Sequence, residues 1–271
     1  MQSPVISSLF NEGLNKSEIG KYAKKISNII LKVNSMPLEK QEKEFEKLKK
    51  EVSERETREG LPELPNAEKG VIMRFASAPS GLFHIGHAIV FSLSFLYVKI
   101  YGWKFYFRIE DTNPETIYSP AYNALVDEAK WLSDEETKVI TQSDRMLLYY
   151  EYAKKLINKN VAYVCTCSSE MFEKFVEEMK NCPCRNSDSK ETILKWKKMR
   201  SFDFKKNFKQ GDAVLRFKSG MKNKNPEFRD FPLARINETK HPLQGNKYRV
   251  WPLMNLAVSV DDIEMKMTHV I

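Results

Sequence analysis

The N-terminal part of the chain alternates apolar and charged positions in the way that helices do. Residues 16–34 place apolar side chains at three- and four-residue spacing with lysines between them, which predicts an amphipathic helix. Residues 38–58, dominated by Glu and Lys, keep one apolar stripe and predict a second, mostly exposed helix. The two apolar sets are Ile19, Tyr22, Ala23, Ile26, Ile29 and Ile30, and Leu38, Phe45, Leu48 and Val52. The segment GLPELPNAEKG at 60–70 then disfavours helix and marks a boundary.

From residue 70 onward, short apolar runs alternate with helical patterns. VIMRFA (71–76) and KFYFRI (104–109) have the composition of strands, whereas 84–97 and 121–132 have helical periodicity. A strand, a helix and a second strand in that order predict the start of a parallel α/β sheet with right-handed crossovers. The ligand site of such a sheet lies beyond the carboxyl ends of its strands.

Composition agrees with a globular chain. The 271 residues are 42% hydrophobic, which is enough to bury one sizeable core in one or two domains. The sequence has no run of about 20 apolar residues, the length that a membrane-spanning helix needs. Its N-terminus also lacks the basic and apolar regions of a signal peptide. We therefore expect a soluble, cytoplasmic protein with no membrane partner.

The net charge of +8 is concentrated in one segment. Residues 160–240 hold eighteen Lys and Arg against eleven Asp and Glu, which accounts for seven of the eight net charges. A local basic excess is typical of a surface that meets phosphates. A solvated lysine-rich surface would have the same composition, so charge alone leaves both interpretations open.

The four cysteines lie in one short segment, as Cys165-x-Cys167 and Cys182-x-Cys184. Closely spaced pairs of thiolates are typical of a closed tetrahedral Zn²⁺ site in a reducing compartment. The usual zinc knuckle has two residues between its cysteines, so reduced cysteines without metal are the alternative. Four protein ligands would leave no open position, which predicts a structural role for zinc if it is bound.

The segment RFASAPSGLFHIGHA (74–88) carries the candidate chemistry, because it follows the first predicted strand and opens the first helix. Unpaired backbone N–H groups and the positive dipole end of a helix N-terminus favour bound phosphate. His84 and His87, three positions apart, would project from one face toward that phosphate and stabilise its charge as candidate catalytic donors. Gly86 would let a nucleotide come close to the backbone. The candidate nucleotide-binding residues are Pro79, Ser80, Gly81, His84, Gly86 and His87.

The sequence His84-Ile85-Gly86-His87 matches the HIGH signature of class I aminoacyl-tRNA synthetases. Its surroundings resemble archaeal glutamyl-tRNA synthetases, because several blocks agree in order and approximate spacing from about residue 69 to 271. The blocks are RFAxxPSGxxHIGHA, FRIEDTNPE, ITQSDR with YYEYAKKLI, AYVCTC with CPCR, and KNPxxRDxPxxRI with KYRVWPLxNxAVxVDDxxxxxTHV. In this strand-turn-helix context, a chance HxGH match in an unrelated α/β protein is far less probable than membership of this family.

The resemblance implies an α/β fold: a Rossmann-like nucleotide-binding domain, split by an acceptor-binding insert and preceded by a helical appendage. In this sequence the appendage would be 1–68 and the first half of the catalytic domain 69–159. The insert, with the cysteines and the basic excess, would be 160–240, and 241–271 would begin the second half. The lysines and aromatic residues of the insert would meet the tRNA end, although its aromatics are equally compatible with a small core. The N-terminal helices could dock a protein partner or form a solvated hairpin.

The resemblance also implies glutamate activation with ATP and Mg²⁺, followed by transfer of the glutamyl group to the 3′ end of tRNA-Glu. The matching amino-acid-binding positions are Arg74, Ala76, Glu110 and Met254. A guanidinium can donate two parallel hydrogen bonds to a carboxylate, and a carboxylate can accept a hydrogen bond from an α-ammonium group. The alternative is that Arg108, Glu110 and Asp111 form a salt-bridge cluster at the strand end.

The chain departs from the family at several positions. Where the family has Pro, Arg and Tyr, this chain has Ser77, Ile89 and Met254, and a thioether cannot make the hydrogen bonds of a hydroxyl. The chain ends at THVI, inside a predicted strand and before the family's Arg-Gly, KMSKS loop and anticodon-binding domain. We therefore expect the N-terminal half of a longer synthetase or a reduced paralogue. Alternatives are glutaminyl-tRNA synthetase, charging of tRNA-Gln as well, and a non-catalytic tRNA-binding module.

Overall fold

The computed structural model describes residues 5–6, 9, 18–48, 60–203, 205 and 207–271. The chain divides into two compact units, Met1–Leu64 and Pro65–Ile271. Within the described residues, no helix combines the length and the apolar character needed to cross a bilayer.

The first unit contains the two predicted helices. α1 spans Ile19–Asn34 and α2 spans Leu38–Leu48. Ile26 of α1 is buried, whereas none of the described residues of α2 is, so the predicted exposure of the second helix is confirmed over that span. The remainder of the predicted second helix, 49–58 with Val52, lies outside the described residues.

The second unit begins with a parallel sheet. Its strands are β1 (Val71–Ser77), β2 (Trp103–Ile109) and β3 (Lys138–Thr141), in the order β1-β2-β3. Helix α3 (Ile85–Tyr101) connects β1 to β2, and α4 (Ala121–Leu132) lies between β2 and β3. The predicted strand-helix-strand order and the α/β fold class are therefore confirmed.

Apolar packing between the first two strands and α3 explains why these elements form. The first three core residues of β1 are aliphatic, and aromatic residues follow at Phe75 and in β2. Phe91 of α3 contacts Phe75 and Phe107 in edge-to-face geometry. Gly70 precedes β1 with φ at +82°, and a Cβ there would lie 3.0 Å from the Gly102 carbonyl oxygen. Glycine is therefore required where the chain enters the sheet.

The rest of the second unit surrounds an antiparallel sheet. Its strands, in order, are β4 (Ala162–Cys165), β5 (Val214–Phe217), β6 (Pro232–Ile236) and β7 (Val250–Pro252). The helices are α5 (Met146–Asn158), α6 (Ser169–Glu177), α7 (Ser189–Arg200) and α8 (Met254–Glu264). Short 3₁₀ turns occupy Pro114–Thr116, Gln142–Arg145, Pro183–Asn186 and Pro226–Phe228.

The largest buried cluster joins these helices to the antiparallel sheet. Tyr149 of α5, Trp196 of α7, Leu215 of β5 and Trp251 of β7 all belong to it. The sheet therefore continues to residue 252, beyond the position where the insert was expected to end.

The end of the chain does not form the strand that the sequence predicts. Residues 267–271 have no regular secondary structure. Thr268 lies beside the edge of β1 instead, because its N–H donates to Ile72 O at 2.9 Å and its Oγ1 accepts from Ile72 N at 2.9 Å. These hydrogen bonds between Thr268 and Ile72 take the place of the ladder that a paired strand would form.

Candidate active site

Two histidines cap the N-terminus of α3 and hold each other in place. His84 is the N-cap residue, and its Nδ1 accepts from Gly86 N at 3.1 Å. His87 Nδ1 accepts in turn from His84 N at 3.3 Å, and the two rings stack with centroids 3.8 Å apart. Because each Nδ1 is an acceptor, the proton of each neutral ring is on Nε2. The two imidazoles thus share one face, as the sequence predicts, and offer two N–H donors at a helix N-terminus.

The environment of His87 keeps its ring neutral. Burial lowers the pKa of His87 below its usual 6.5, and the neighbouring His84 acts in the same direction. Glu128 opposes both, but its effect is smaller. The neutral ring can therefore donate from Nε2 while Nδ1 continues to cap the helix.

Gly86 is required for a reason that the sequence did not reveal. A Cβ at this position would lie 2.9 Å from Cε1 and 3.0 Å from Nδ1 of His84. The ring of His84 thus fills the space beside the glycine, and the close approach of a nucleotide to Gly86 stays a prediction.

A cavity of about 500 Å³ opens at the carboxyl end of β1, beside the capping histidines. A volume of this size is typical of small-molecule sites. Its lining residues are Ala76, Ser77, Ala78, Ser80, Gly81, Leu82, His84, His87 and Glu110. It lies beyond the strand ends, where the α/β topology predicts a ligand site.

Four of the candidate residues do not line this cavity: Pro79, Gly86, Arg74 and Met254. Pro79 supports the turn, since its carbonyl oxygen accepts from Tyr118 N at 2.8 Å. Met254 is the first residue of α8, with 69% of its surface exposed.

Arg74 and Glu110 are joined through two further charged residues. Arg74 Nε and Nη2 donate to the two carboxylate oxygens of Asp262 at 2.8 and 2.9 Å. Arg108 Nη1 donates to Asp262 Oδ1 at 2.6 Å. The other edge of Arg108 donates to Glu110 Oε1, from Nε at 3.1 Å and from Nη2 at 2.7 Å. Asp262 and its link to Arg74 were not identified from the sequence.

The ion pair between Arg74 and Asp262 sets the protonation of both side chains. Burial opposes ionisation of Asp262, but hydrogen bonds from Arg74 and Arg108 outweigh it and lower the pKa of the carboxyl. The hydrogen bond to Asp262 likewise raises the pKa of Arg74. Both groups are therefore charged over the whole physiological range.

The alternative interpretation, a salt-bridge cluster of Arg108, Glu110 and Asp111 at the end of the strand, is confirmed in part. Arg108 and Glu110 form an ion pair, but Asp111 has other partners. Its fully buried carboxylate accepts from Ser143 N and from the Tyr122 hydroxyl, both at 2.8 Å. Asp111 thus holds the EDT segment against α4 and the turn after β3.

The four cysteine sulfurs lie within 4.8 Å of one another. The Sγ atoms of Cys165 and Cys182 are 3.9 Å apart. Those of Cys167 and Cys184 are 3.8 Å apart. Tetrahedral Zn²⁺ with bonds of about 2.3 Å places its sulfurs about 3.8 Å apart, so the arrangement fits zinc. All four are free cysteines, and a hydrogen bond from the Cys165 thiol lowers the pKa of Cys182 to about 5.

Most of the aromatic residues between 160 and 240 belong to the core and not to a stacking surface. Trp196 is buried in the main cluster, and Phe208 and Phe217 pack against it. Phe202 is exposed, and Phe204 lies outside the described residues. The core interpretation is therefore confirmed for Trp196, Phe208 and Phe217.

The model of the family of class I tRNA synthetases (E and Q), catalytic domain, matches residues 70–271. That range contains the parallel sheet, the paired histidines and the cavity. The chain therefore belongs to this class I aminoacyl-tRNA synthetase family.

Glutamate–tRNA ligases of archaea are among its relatives. The chain is 43% identical over 256 residues to that of Methanobrevibacter smithii, covering 94% of this chain and 44% of the relative. It is 40% identical over 263 residues to that of Methanothermobacter marburgensis, covering 95% and 47%. The chain thus spans less than half the length of these relatives.

A solved glutamate tRNA ligase from Elizabethkingia meningosepticum, in complex with its amino acid, resembles the chain in fold. Its TM-score is 0.52 at 20% identity, covering 74% of this chain and 43% of that one.

Proposed function

We propose that the chain supplies the activating part of a glutamate–tRNA ligase. Glutamate would attack the α-phosphate of ATP, giving glutamyl-adenylate and pyrophosphate, and the glutamyl group would pass to the 3′ end of tRNA-Glu. The observation that carries the proposal is the pair of Nε2–H donors of His84 and His87 beside a cavity that also contains Glu110. The identity to glutamate–tRNA ligases supports glutamate as the amino acid.

The phosphates of ATP would lie at the N-terminus of α3. Ser80 and Gly81 line this end of the cavity, with Pro79 in the same turn and Gly86 at the start of α3, and the two histidines would donate to the charge that develops on the phosphates. Mg²⁺ would enter with ATP and offset part of its charge. Most of the catalysis would come from positioning and charge stabilisation.

The amino acid would bind between Arg74 and Glu110. Of these amino-acid positions, Glu110 and Ala76 line the cavity, and Ala76 pairs with Arg108 of β2 in the sheet. Glu110 would accept from the α-ammonium and Arg74 would bind a carboxylate. Met254 remains a candidate for the side-chain contact, although a thioether offers only a weak acceptor.

The cysteine cluster would hold a structural Zn²⁺ through Cys165, Cys167, Cys182 and Cys184. The fit of the sulfur spacing to a tetrahedron supports this. With four thiolate ligands the ion would fix β4 to the turn before α7 and take no part in the reaction.

The remaining assignments follow from the same proposal. Residues 69–159 and 241–271 would contribute the two parts of the catalytic domain, and 160–240 would bind the tRNA acceptor end. The net charge of that insert supports a phosphate-bearing partner. The appendage at 1–68 would be available to a protein partner, and the compartment would be the cytoplasm.

Ligand binding by the chain itself distinguishes an enzyme from a tRNA-binding module. We expect calorimetric titration to detect ATP and glutamate, each at one site, and filter binding to detect tRNA-Glu with affinity that falls as salt rises. Salt-sensitive tRNA binding without affinity for ATP or glutamate would instead favour the non-catalytic module.

A further inference from the structure

A row of four alternating charges connects β1, β2 and α8. Arg74 lies on β1, Asp262 on α8, Arg108 on β2 and Glu110 directly after β2. The contacts run from Arg74 to Asp262, from Asp262 to Arg108 and from Arg108 to Glu110, at distances of 2.6 to 3.1 Å. The row has no net charge, so each ion is compensated by its neighbour.

The two ends of the row keep unused hydrogen-bonding groups. Arg74 donates to Asp262 through Nε and Nη2, and its Nη1 has no hydrogen-bond partner in the described parts of the chain. Glu110 accepts both bonds from Arg108 on Oε1, which leaves Oε2 without a partner among the same residues. An α-amino acid carries a carboxylate for the first group and an ammonium for the second.

The two middle residues fix the geometry of the ends. Arg108 is fully buried and bonded on both edges, so its guanidinium has one orientation. Asp262 uses both oxygens on Arg74 and shares one of them with Arg108. The adjacent carboxylate cannot replace it, because Asp261 is bonded to Gln142, Arg145 and Tyr149.

We infer that Asp262 is the positioning residue of the amino-acid site, because it holds the guanidinium of Arg74 so that Nη1 faces a ligand carboxylate. Asp262 acts through Arg74 and does not contact the ligand. The inference rests on the proposed function, in which Arg74 and Glu110 bind glutamate. A guanidinium released from this bidentate contact would lose its fixed orientation, and a buried, oriented donor is worth more to a ligand than a mobile one.

Calorimetric titration of Asp262→Asn with glutamate and, separately, with ATP tests this role. Glu264→Gln is the matched control, since Glu264 lies on the same helix and its carboxylate contacts the hydroxyl of Tyr152 away from the row. We expect Asp262→Asn to weaken glutamate binding about 10- to 100-fold, the scale for lost bonds to a charged group, and to leave ATP binding unchanged. Glu264→Gln should change neither the glutamate affinity nor the ATP affinity.

A double-mutant cycle separates positioning from general stability. Arg74→Lys removes the guanidinium fork, so adding Asp262→Asn to it should weaken glutamate binding no further. If Asp262→Asn unfolds, Asp262→Glu replaces it; this variant keeps the charge, shifts the carboxylate by one methylene, and should also weaken glutamate binding selectively.

The outcomes are distinguishable. Unchanged or tighter glutamate binding by Asp262→Asn would overturn the inference, because it would mean that Asp262 competes with the ligand for Arg74. Equal loss of glutamate and ATP binding would also overturn it, since that is the result of a purely structural role. A wild-type chain that binds neither ligand would overturn the proposed function, and the role assigned to Asp262 with it.

Discussion

The most specific stability prediction concerns Asp261, a fully buried carboxylate that ties α8 to α5 and to the turn before it. Its Oδ1 accepts from Arg145 Nε at 2.7 Å, and its Oδ2 accepts from Gln142 Nε2 at 2.9 Å. The hydroxyl of Tyr149 lies 2.9 Å from both oxygens. Asp261→Ala would leave three donors, one of them charged, without their acceptor.

Removing one partner from a buried ion pair destabilises proteins by about 3–5 kcal/mol. Asp261→Asn keeps the volume and one acceptor oxygen, so we expect a smaller loss of about 1–3 kcal/mol from the donors that remain unpaired. With an m-value of about 2–3 kcal/mol/M in urea, Asp261→Ala should lower the unfolding midpoint by about 1–2.5 M.

Urea unfolding followed by tryptophan fluorescence measures this loss in the relevant unit. All four tryptophans, Trp103, Trp131, Trp196 and Trp251, lie in Pro65–Ile271, so the signal reports that unit alone. Glu264→Gln is the control: it removes an exposed carboxylate of the same helix and should leave the midpoint unchanged. A loss below about 1 kcal/mol in Asp261→Ala, the level of an ordinary substitution, would refute the reasoning.

Three further predictions concern the histidine pair and the cysteines. Gly86→Ala should abolish ATP binding, because the new Cβ displaces the ring of His84. It should not lower the thermal midpoint, because alanine favours helix. Unchanged ATP affinity in titration would contradict this. Because the folded-state pKa of His87 is lowered, its stabilising contribution is complete above about pH 6.5 and is lost as the pH falls through the folded pKa. Thermal midpoints at pH 5 to 8 should therefore fall more steeply in the wild type than in His87→Gln, and equal slopes would contradict this. The purified chain should contain one zinc per molecule by elemental analysis. Cys182→Ser or chelation should lower the thermal midpoint. A metal-free chain whose midpoint is unchanged by Cys182→Ser would contradict the zinc assignment.

Local patterns in the sequence were sufficient for the first part of the fold. The apolar runs of β1 and β2 are short, continuous and separated by a helical pattern, so their identity and order did not depend on distant residues. The neighbouring placement of His84 and His87 at the start of α3 also followed from local sequence, although the two rings meet through reciprocal capping hydrogen bonds and not through helix geometry.

Contacts between distant residues could not be predicted in this way. Arg74 and Asp262 are 188 positions apart, and their sequence context indicates charge but not pairing. The one available signal is the acidic pair Asp261-Asp262 in the otherwise apolar stretch LAVSVDDI, since charges in such a helix need buried partners. The contact of the His84 ring with Gly86 could not be predicted for a related reason, because the orientation of that ring depends on its hydrogen bond to the following backbone.

Transfer of labelled glutamate to tRNA tests most directly whether this chain provides the activating site of a glutamate–tRNA ligase. Because the chain spans less than half of its relatives, the assay uses a fusion to the part of the Methanobrevibacter smithii ligase that the match does not cover. We predict ATP-dependent charging of tRNA-Glu that His87→Ala abolishes, with tRNA-Gln as a parallel substrate to define specificity. A folded fusion that binds tRNA-Glu but charges neither tRNA would contradict the account.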